Sequence, residues 1–175
     1  MQEIFRNILF KCPLLHFLCS SGEVDNIEEF ISRKYINYID YEDETPLIKA
    51  IEFKNYHLIP KLIKNGANPY IITNSGHSAL STACSNGDYE STLILLNEGI
   101  DPNNNYFTSC IPIICACNTG NIKVVELLLN NNADPNVTDI DGNTALLVSI
   151  RNNRYDIIKL LIKYGIIITL YDFYN

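Results

Sequence analysis

The sequence is short of basic residues. Lysine and arginine together number 13 against 20 aspartates and glutamates, which leaves a net charge of −7, and neither basic type occurs between Lys64 and Lys123. Nucleic-acid binding needs a basic stripe that displaces counterions from the phosphates. The charge therefore argues against nucleic acid, and equally against an anionic membrane surface, as the partner.

Long apolar runs are also missing. No stretch approaches the roughly 20 apolar residues that cross a bilayer, and charged Glu3, Arg6 and Lys11 interrupt the first 12 residues, unlike the continuous apolar stretch of a signal peptide. The composition, 47% hydrophobic in 175 residues, is typical of a globular protein. We expect a soluble, cytoplasmic chain whose cysteines stay reduced.

The sequence lacks the residue groupings of a metal or phosphate site. Its three histidines, His16, His57 and His77, include no pair one helical turn apart, and its glycines are isolated rather than gathered into a phosphate loop. Cys115 and Cys117 are the nearest approach to a ligand pair, but other ligands are missing and core packing explains both. No metal and no cofactor are expected.

What the sequence does contain is an internal repeat. The triplets centred on Pro46, Ala79, Pro112 and Ala145 are alike, and their positions, 46, 79, 112 and 145, differ by 33. The following columns keep the same step: small residues at Ala50, Ala83, Ala116 and Ser149; aliphatic pairs at Leu62-Ile63, Leu95-Leu96, Leu128-Leu129 and Leu161-Ile162; helix-ending residues at Gly66, Gly99, Asn132 and Gly165. A weaker copy begins at Pro13-Leu14-Leu15-His16, which makes five units.

Each unit has the signals of two helices and a hairpin loop. Thr45 and Thr144 can cap a first helix with a side-chain oxygen, and Pro46 and Pro112 suit its first position. Gly87 and Gly120 lie where a left-handed residue reverses the chain between the helices, and Lys54 and Asn153 occupy the same column. Pro60 falls inside a second helix, so we expect that helix to start late or to kink.

The period and these residues resemble the ankyrin repeat family over Leu14 to Tyr171. The resemblance implies an all-α solenoid of about five helix-turn-helix units with hairpin loops, forming one array over 1–175. We place a cap at 1–13, repeats at about 14–39, 40–72, 73–105, 106–138 and 139–171, and a tail at 172–175. The family's histidine column reads Ile48, Ser81, Ile114 and Leu147 after His16, so its hydrogen bonds are lost there.

A catalytic pair could in principle form from Cys84 or Ser81 with His77. Cys84, however, shares its column with Ile51 and Ile150. It is therefore expected to be buried, and a buried thiol is inert. We predict that the chain has no catalytic residues and is not an enzyme.

The resemblance implies a protein-binding surface made of hairpin tips and the exposed side of each first helix. The matching positions of this chain are Tyr41, Glu42, Glu44, Phe53, Asn74, His77, Asn86, Phe107, Cys110, Asn118, Ile140, Asp141 and Asn143. Tyr41, Phe107 and Ile140 are the expected anchors, because interfaces concentrate binding energy in buried aromatic and apolar side chains. The alternative for Phe107 and Ile140 is local packing between neighbouring hairpins.

Acidic residues gather at Asp40, Glu42, Asp43, Glu44 and Glu52. A basic or mixed partner would be steered toward this end of the chain. The alternative is that this cluster is simply a solvated face.

The chain is rich in asparagine, isoleucine and tyrosine, the usage expected of an A/T-rich genome. Phrases such as Asn65-Gly66-Ala67-Asn68-Pro69 are similar to those of poxvirus ankyrin proteins. That resemblance implies a host-range or immune-modulating protein that sequesters a host signalling protein in the host cytoplasm. We expect a short member without the C-terminal F-box that recruits a ubiquitin ligase.

An intracellular bacterial or protist effector is the alternative to the viral source, and two alternatives for the role remain. The chain could be the target-binding part of a larger F-box adaptor, or an assembly piece. In the second case the aromatic tail Tyr171 to Asn175 would drive self-association; otherwise the tail folds back over the last repeat.

Overall fold

A computed structural model of the chain describes residues 14–22, 35–104 and 108–168. Their regular structure is helical: α1 Leu14–Ser21, α2 Pro46–Glu52, α3 Leu58–Lys64, α4 Ala79–Ser85, α5 Tyr89–Asn97, α6 Pro112–Thr119, α7 Ile122–Asn130, α8 Ala145–Arg151 and α9 Tyr155–Lys163. In this part of the chain the β pairing is an isolated antiparallel bridge between Thr138 and Thr144. The all-α prediction is therefore confirmed.

The chain divides into two compact units, one ending at Ala79 and the other beginning at Leu80. In the first unit α2 packs against both α1 and α3. In the second unit α6 packs against α7 and α8, while α9 packs against α8 and α7. Helices thus contact the helices of the next repeat as well as their own partner, and the continuation of both units as one array over 1–175 stays a prediction.

The starts of the helices follow the predicted caps. The side chain of Thr45 accepts a hydrogen bond from Ile48 N at 3.2 Å, and that of Thr144 accepts one from Leu147 N at 3.0 Å. Pro46 and Pro112 open α2 and α6, where a missing backbone donor costs nothing.

Pro60 shortens its helix as predicted. α5, α7 and α9 each run for nine residues, whereas α3 has seven and begins two residues later in the 33-residue register. Pro60 thereby lies in the first turn of α3, where its absent N–H would have had no helical partner.

The predicted left-handed positions are confirmed, including those that are not glycine. Gly120 has φ 86°, and Lys54 and Asn153 adopt φ 57° and 55° in the same column. Asn132, the non-glycine member of the helix-ending column, has φ 63°. The register therefore imposes this backbone conformation even where the side chain disfavours it.

The core lies between the helices and is lined by the repeated columns. Ala50, Ala83, Ala116 and Ser149 are each 0% exposed. In the aliphatic pairs the first residue is always buried, whereas the second ranges from buried Leu129 to Ile162, which is 52% exposed. Small side chains let the helices approach closely. The first residue of every pair belongs to the core, and Leu96 and Leu129 add the second residue of their pairs.

Asparagine side chains connect the loops of successive repeats. Within the first unit Asn37 donates from Nδ2 to Gly66 O and accepts from Asn68 N. Within the second unit Asn103 makes the same two bonds with Asn132 O and Asp134 N. Part of the asparagine content is therefore structural. None of the helices in the described residues is long and apolar enough to span a membrane.

Candidate protein-binding surface

The first candidate element is the hairpin Asp40–Glu44. Asp40 N donates to Glu44 O at 2.9 Å, and Asp40 Oδ1 accepts from Glu42 N at 2.9 Å and from Glu44 N at 3.1 Å. An aspartate that accepts from its own turn fixes the turn's backbone. The tip residue Tyr41 is held 66% exposed on this frame.

His16 ties α1 to the base of this hairpin. Its Nε2 donates to Tyr38 O and to Glu44 O, both at 3.0 Å, so the ring carries its proton on Nε2. Burial lowers the pKa of His16 and keeps the ring neutral near pH 7. This is the histidine of the first, weaker repeat.

Lys49 of α2 lies among the carboxylates of the hairpin. Its Nζ forms ion pairs with Glu42 and Glu44 and lies 6.0 Å from the centroid of the Phe53 ring. Burial acts to lower the pKa of Lys49, but the hydrogen bonds to Glu42 and Glu44 outweigh it and raise the pKa. The same ion pair lowers the pKa of Glu42. Lys49 thus joins Glu42, Glu44 and Phe53, three of the predicted residues, into one cluster.

Glu52 lies one turn after Lys49 on α2, beside the carboxylates of the hairpin. Desolvation, with the neighbouring Glu44 second, raises the pKa of Glu52 to about 7. The single ammonium of Lys49 therefore does not compensate all the carboxylates around it.

Asp43 links this hairpin to the next one within the first unit. It adopts φ 66°, and its carboxylate accepts from Asn74 N at 2.9 Å, Asn74 Nδ2 at 2.8 Å and Ser75 N at 2.7 Å. Desolvation acts to raise the pKa of Asp43, yet these hydrogen bonds together hold it below its usual value. The predicted binding residue Asn74 is thus engaged within the unit, and the predicted His77 is half-buried at the base of its own hairpin, where its backbone O accepts from Thr73 N.

The second candidate element is the hairpin Asp139–Asn143 of the second unit. Asp139 Oδ1 accepts from Asp141 N at 2.9 Å and Asn143 N at 2.8 Å, while its Oδ2 accepts from Asn143 Nδ2 at 2.9 Å. Arg151 of α8 donates to Asn143 Oδ1 at 3.0 Å. Ile140 is 64% exposed at the tip and Asp141 is exposed beside it. Ile140 N lies 3.5 Å from Thr108 O, so its backbone contacts the preceding loop while its side chain faces solvent.

The other predicted binding residues lie in different surroundings. Asn86 is exposed at the end of α4, and Asn118 is exposed on α6, where its Oδ1 accepts from Asn152 Nδ2 at 2.8 Å. Cys110 is half-buried ahead of α6. Phe107 lies outside the described residues, as does the tail Tyr171 to Asn175.

Three thiols of the second unit, those of Cys84, Cys115 and Cys117, have raised pKa values. Cys84 is buried as predicted, and desolvation raises its pKa to about 12, as it does for Cys117. Cys115 is only partly buried, so core packing explains it less completely than predicted; hydrogen bonding to Cys110, with burial second, raises its pKa. A thiol with a raised pKa holds little of the reactive thiolate at neutral pH.

Sequence reasoning missed Lys49 and Arg151 as parts of the surface. Both lie on first helices, and both reach a hairpin residue seven or eight positions earlier in the chain. A basic residue in a column otherwise occupied by Thr82, Cys115 and Val148 was the available signal for Lys49.

Comparison with known proteins agrees with this repeat architecture. The family described as ankyrin repeats (3 copies) matches residues 15–106 and 80–172. The protein lin-12 of Caenorhabditis elegans is 29% identical over 93 residues, which cover 48% of this chain and 6% of that protein. The DNA-binding protein RFXANK of Homo sapiens is 37% identical over 76 residues, covering 42% of this chain and 29% of that protein.

A further relative carries a catalytic description. The ADP-ribosylation factor GTPase-activating protein AGD2 of Arabidopsis thaliana is 36% identical over 83 residues, which cover 47% of this chain and 11% of that protein. The chain thus spans less than a third of the length of each of these relatives, and the similarity to them concerns their repeats.

Ankyrin repeats are protein–protein interaction modules. The 33-residue register, the left-handed columns and the helix pairs have each been described above, and the family match extends over nearly the whole chain. The chain therefore belongs to the ankyrin repeat family.

Proposed function

We propose that this chain binds a partner protein through its hairpin tips and the exposed side of its first helices, without catalysing a reaction. The observation that carries the proposal is the exposure of Tyr41 and Ile140, 66% and 64%, at the tips of turns that aspartate side chains hold rigid. A rigid display of large side chains lowers the entropy lost on binding.

The partner is proposed to be a protein rather than nucleic acid. The net charge of −7 would repel phosphates, and the chain has no lysine or arginine from 65 to 122. RFXANK is described as a DNA-binding protein, but that description belongs to a chain of which this one covers 29%.

The finer identity that we propose is a host-range or immune-modulating protein that sequesters a host signalling protein. The support is the similarity of phrases such as Ala133-Asp134-Pro135-Asn136 to those of poxvirus ankyrin proteins. Occupying a target requires affinity but no catalytic residue, which suits exposed side chains such as Tyr41 in the first unit and Ile140 in the second.

Affinity capture tests this function. The immobilised chain is incubated with host-cell extract, and a stoichiometric protein is expected to remain bound. Tyr41→Ala and Ile140→Ala should each reduce its retention about tenfold or more, as central interface side chains do. Tyr155→Ala is the matched control, because Tyr155 is 67% exposed on α9 and belongs to neither hairpin. Equal loss with the control, or no retained protein, would contradict the proposal.

Self-association is the second candidate, and a specific observation favours it. Ile162 of α9 and the following Ile167 and Ile168 are 52%, 67% and 50% exposed. If these side chains drive assembly, the purified chain will sediment as a dimer and Ile162→Ser will return it to a monomer.

A further inference from the structure

The cluster around Lys49 contains four carboxyl groups and one ammonium group. Glu42 and Glu44 pair with the ammonium, and Asp40 and Glu52 lie beside it; burial first and the neighbouring Glu44 second raise the pKa of Glu52. These groups, together with the rings of Tyr41 and Phe53, are called the Lys49 patch below. It lies entirely within the first unit.

Two buried carboxylate oxygens of the Lys49 patch lack a hydrogen bond among the described residues, and of these Glu44 Oε2 pairs with Lys49 whereas Asp40 Oδ2 has no ion pair. Asp40 is only 7% exposed, and its Oδ2 accepts no hydrogen bond from any described residue. The carboxylates of Asp40, Glu42 and Glu44 bring oxygens within 4.8 Å of one another. A buried carboxylate without full hydrogen bonding is costly, so the patch gains from an added positive charge nearby.

Two exposed rings border the acidic groups. Tyr41 adjoins Glu42 at the hairpin tip, and Phe53, 56% exposed at the end of α2, lies 6.0 Å from Lys49 Nζ. Aromatic faces attract cations and also pack against the aliphatic stems of long basic side chains. Carboxylates beside exposed rings are therefore matched to arginine or lysine rather than to an acidic or purely apolar side chain.

We infer that the Lys49 patch is the subsite for an arginine or lysine side chain of a protein partner, placed between the Glu42 and Glu52 carboxylates and against the Phe53 ring. This assignment rests on the proposed protein-binding function and gives the chemistry of one part of the partner. Arginine fits better than lysine because its planar guanidinium both pairs with carboxylates and stacks on a ring.

The test uses a short fluorescein-labelled peptide that repeats Leu-Arg-Gly, with a counterpart carrying glutamate in place of arginine. Fluorescence anisotropy at low ionic strength is expected to show binding of the arginine peptide and none of the glutamate peptide. Glu42→Gln and Glu52→Gln should each weaken binding about threefold. Phe53→Ala should weaken it more, because the arginine loses its contact with the ring and, with it, the position in which it pairs with the carboxylates.

Glu98→Gln is the matched control, since it removes one exposed carboxylate from the second unit. Tyr155→Ala serves the same purpose for Phe53→Ala. Circular dichroism confirms that each variant is folded. If Glu98→Gln weakens binding as much as Glu52→Gln, the peptide responds only to net charge and the assignment is wrong.

The pH dependence gives an independent readout. Glu42, Glu44 and Lys49 face Glu52 from the hairpin and α2, and on α1 the neutral His16 faces Asp40. Glu52 passes from mostly protonated to mostly ionised between about pH 6 and pH 8, so the arginine peptide should bind more tightly at the higher pH, and Glu52→Gln should abolish that difference. A pH response that persists in Glu52→Gln contradicts the assignment.

The outcomes separate this inference from the proposed function. If calcium chloride at matched ionic strength displaces the peptide and magnesium does not, the carboxylates bind a metal and the assignment fails. If the arginine peptide does not bind although host-protein capture depends on Tyr41 and Ile140, the protein-binding function stands and the basic subsite is wrong. Retention of the arginine peptide with loss in the patch variants supports both.

Discussion

The hairpins Asp40–Glu44 and Asp139–Asn143 share one backbone frame but differ in the charges that it carries. In each, the first aspartate accepts two backbone N–H groups through Oδ1, and a threonine caps the helix that follows. The repeat register thus reproduces the turn in both units.

The two hairpins differ in the partners of the Oδ2 atom of the first aspartate. In the second unit Asp139 Oδ2 is satisfied by Asn143, which in turn accepts from Arg151. In the first unit Asp40 Oδ2 has no such donor among the described residues, and Glu44 occupies the position of Asn143 and pairs with Lys49. The network of Asp139, Asn143 and Arg151 balances one carboxylate with one guanidinium, whereas the first hairpin has more carboxylates than cations, a surplus that a partner can use.

The largest effect that sharpens this contrast is expected from Lys49→Met. The change leaves Glu44, which is only 16% exposed, without its cation and should lower the free energy of unfolding by about 2 kcal/mol, because removing one partner of a largely buried pair leaves charge uncompensated. Equilibrium urea unfolding measures it. Lys159→Met is the control, since Lys159 pairs with Asp156 at the surface with 78% and 80% exposure and should change little. Similar losses in both variants would contradict the account.

Removing the first aspartate should affect the two hairpins unequally. Asp139→Ala breaks three hydrogen bonds to the carboxylate and should cost about 2 kcal/mol, while Asp40→Ala should cost about 1 kcal/mol, because it also relieves repulsion from Glu42 and Glu44. The same unfolding experiment compares them. A greater loss for Asp40→Ala would show that the acidic surplus does not exist.

Glu52→Gln should stabilise the chain at neutral to alkaline pH. The folded-state pKa of Glu52, about 7, lies above the ordinary glutamate value. The folded state therefore binds the Glu52 proton more tightly than the unfolded state does. The wild-type chain loses stability as the pH rises from the ordinary value of 4.5 through about 7. The variant avoids this loss and should gain about 1 kcal/mol at pH 8, a figure reduced for solvent screening because the side chain is exposed.

The control for this pH effect is Glu98→Gln in the second unit. It removes an exposed carboxylate outside the Lys49 cluster, so an equal gain at pH 8 would show that the effect is not specific to Glu52. A stabilisation of Glu52→Gln that is already complete at pH 4 would be inconsistent with titration of Glu52.

The smallest effect is expected from replacing left-handed residues by glycine. Asp43 occupies the left-handed position of the first hairpin, where the second hairpin has Gly142, and Lys54 is left-handed between two helices. Lys54→Gly relieves a left-handed residue between helices and should stabilise by about 0.5–1 kcal/mol. Asp43→Gly relieves the same strain but removes the acceptors of Asn74 and Ser75, so it should gain less or lose stability. Thermal melts distinguish the two, and an equal gain would mean that the Asp43 hydrogen bonds contribute nothing.

The features predictable from sequence were those that recur with the period. Thr45 and Thr144 as caps, the late start of the helix with Pro60, and left-handed Lys54 and Asn153 all follow from column position, because the same local physics applies in every repeat. The all-α class followed from them.

Features that depend on contacts between loops could not be predicted from the recurring sequence positions alone. The roles of Asp43 and Asn103 require knowing which backbone N–H groups of the next repeat lie within reach. Asparagine content interpreted as genome composition therefore included residues that bridge repeats. Lys49 was missed because a lysine on an apolar helix does not show, in sequence, which carboxylates fold over it.

The most direct test of the contrast between the hairpins is a chemical-shift map of the uniformly ¹⁵N-labelled chain on addition of the arginine peptide. The account predicts that amide shifts concentrate between Asp40 and Lys54 and that the amides of Asp139 to Arg151 stay unchanged. Shifts centred on Asp139–Asn143, or spread evenly over both units, would contradict it.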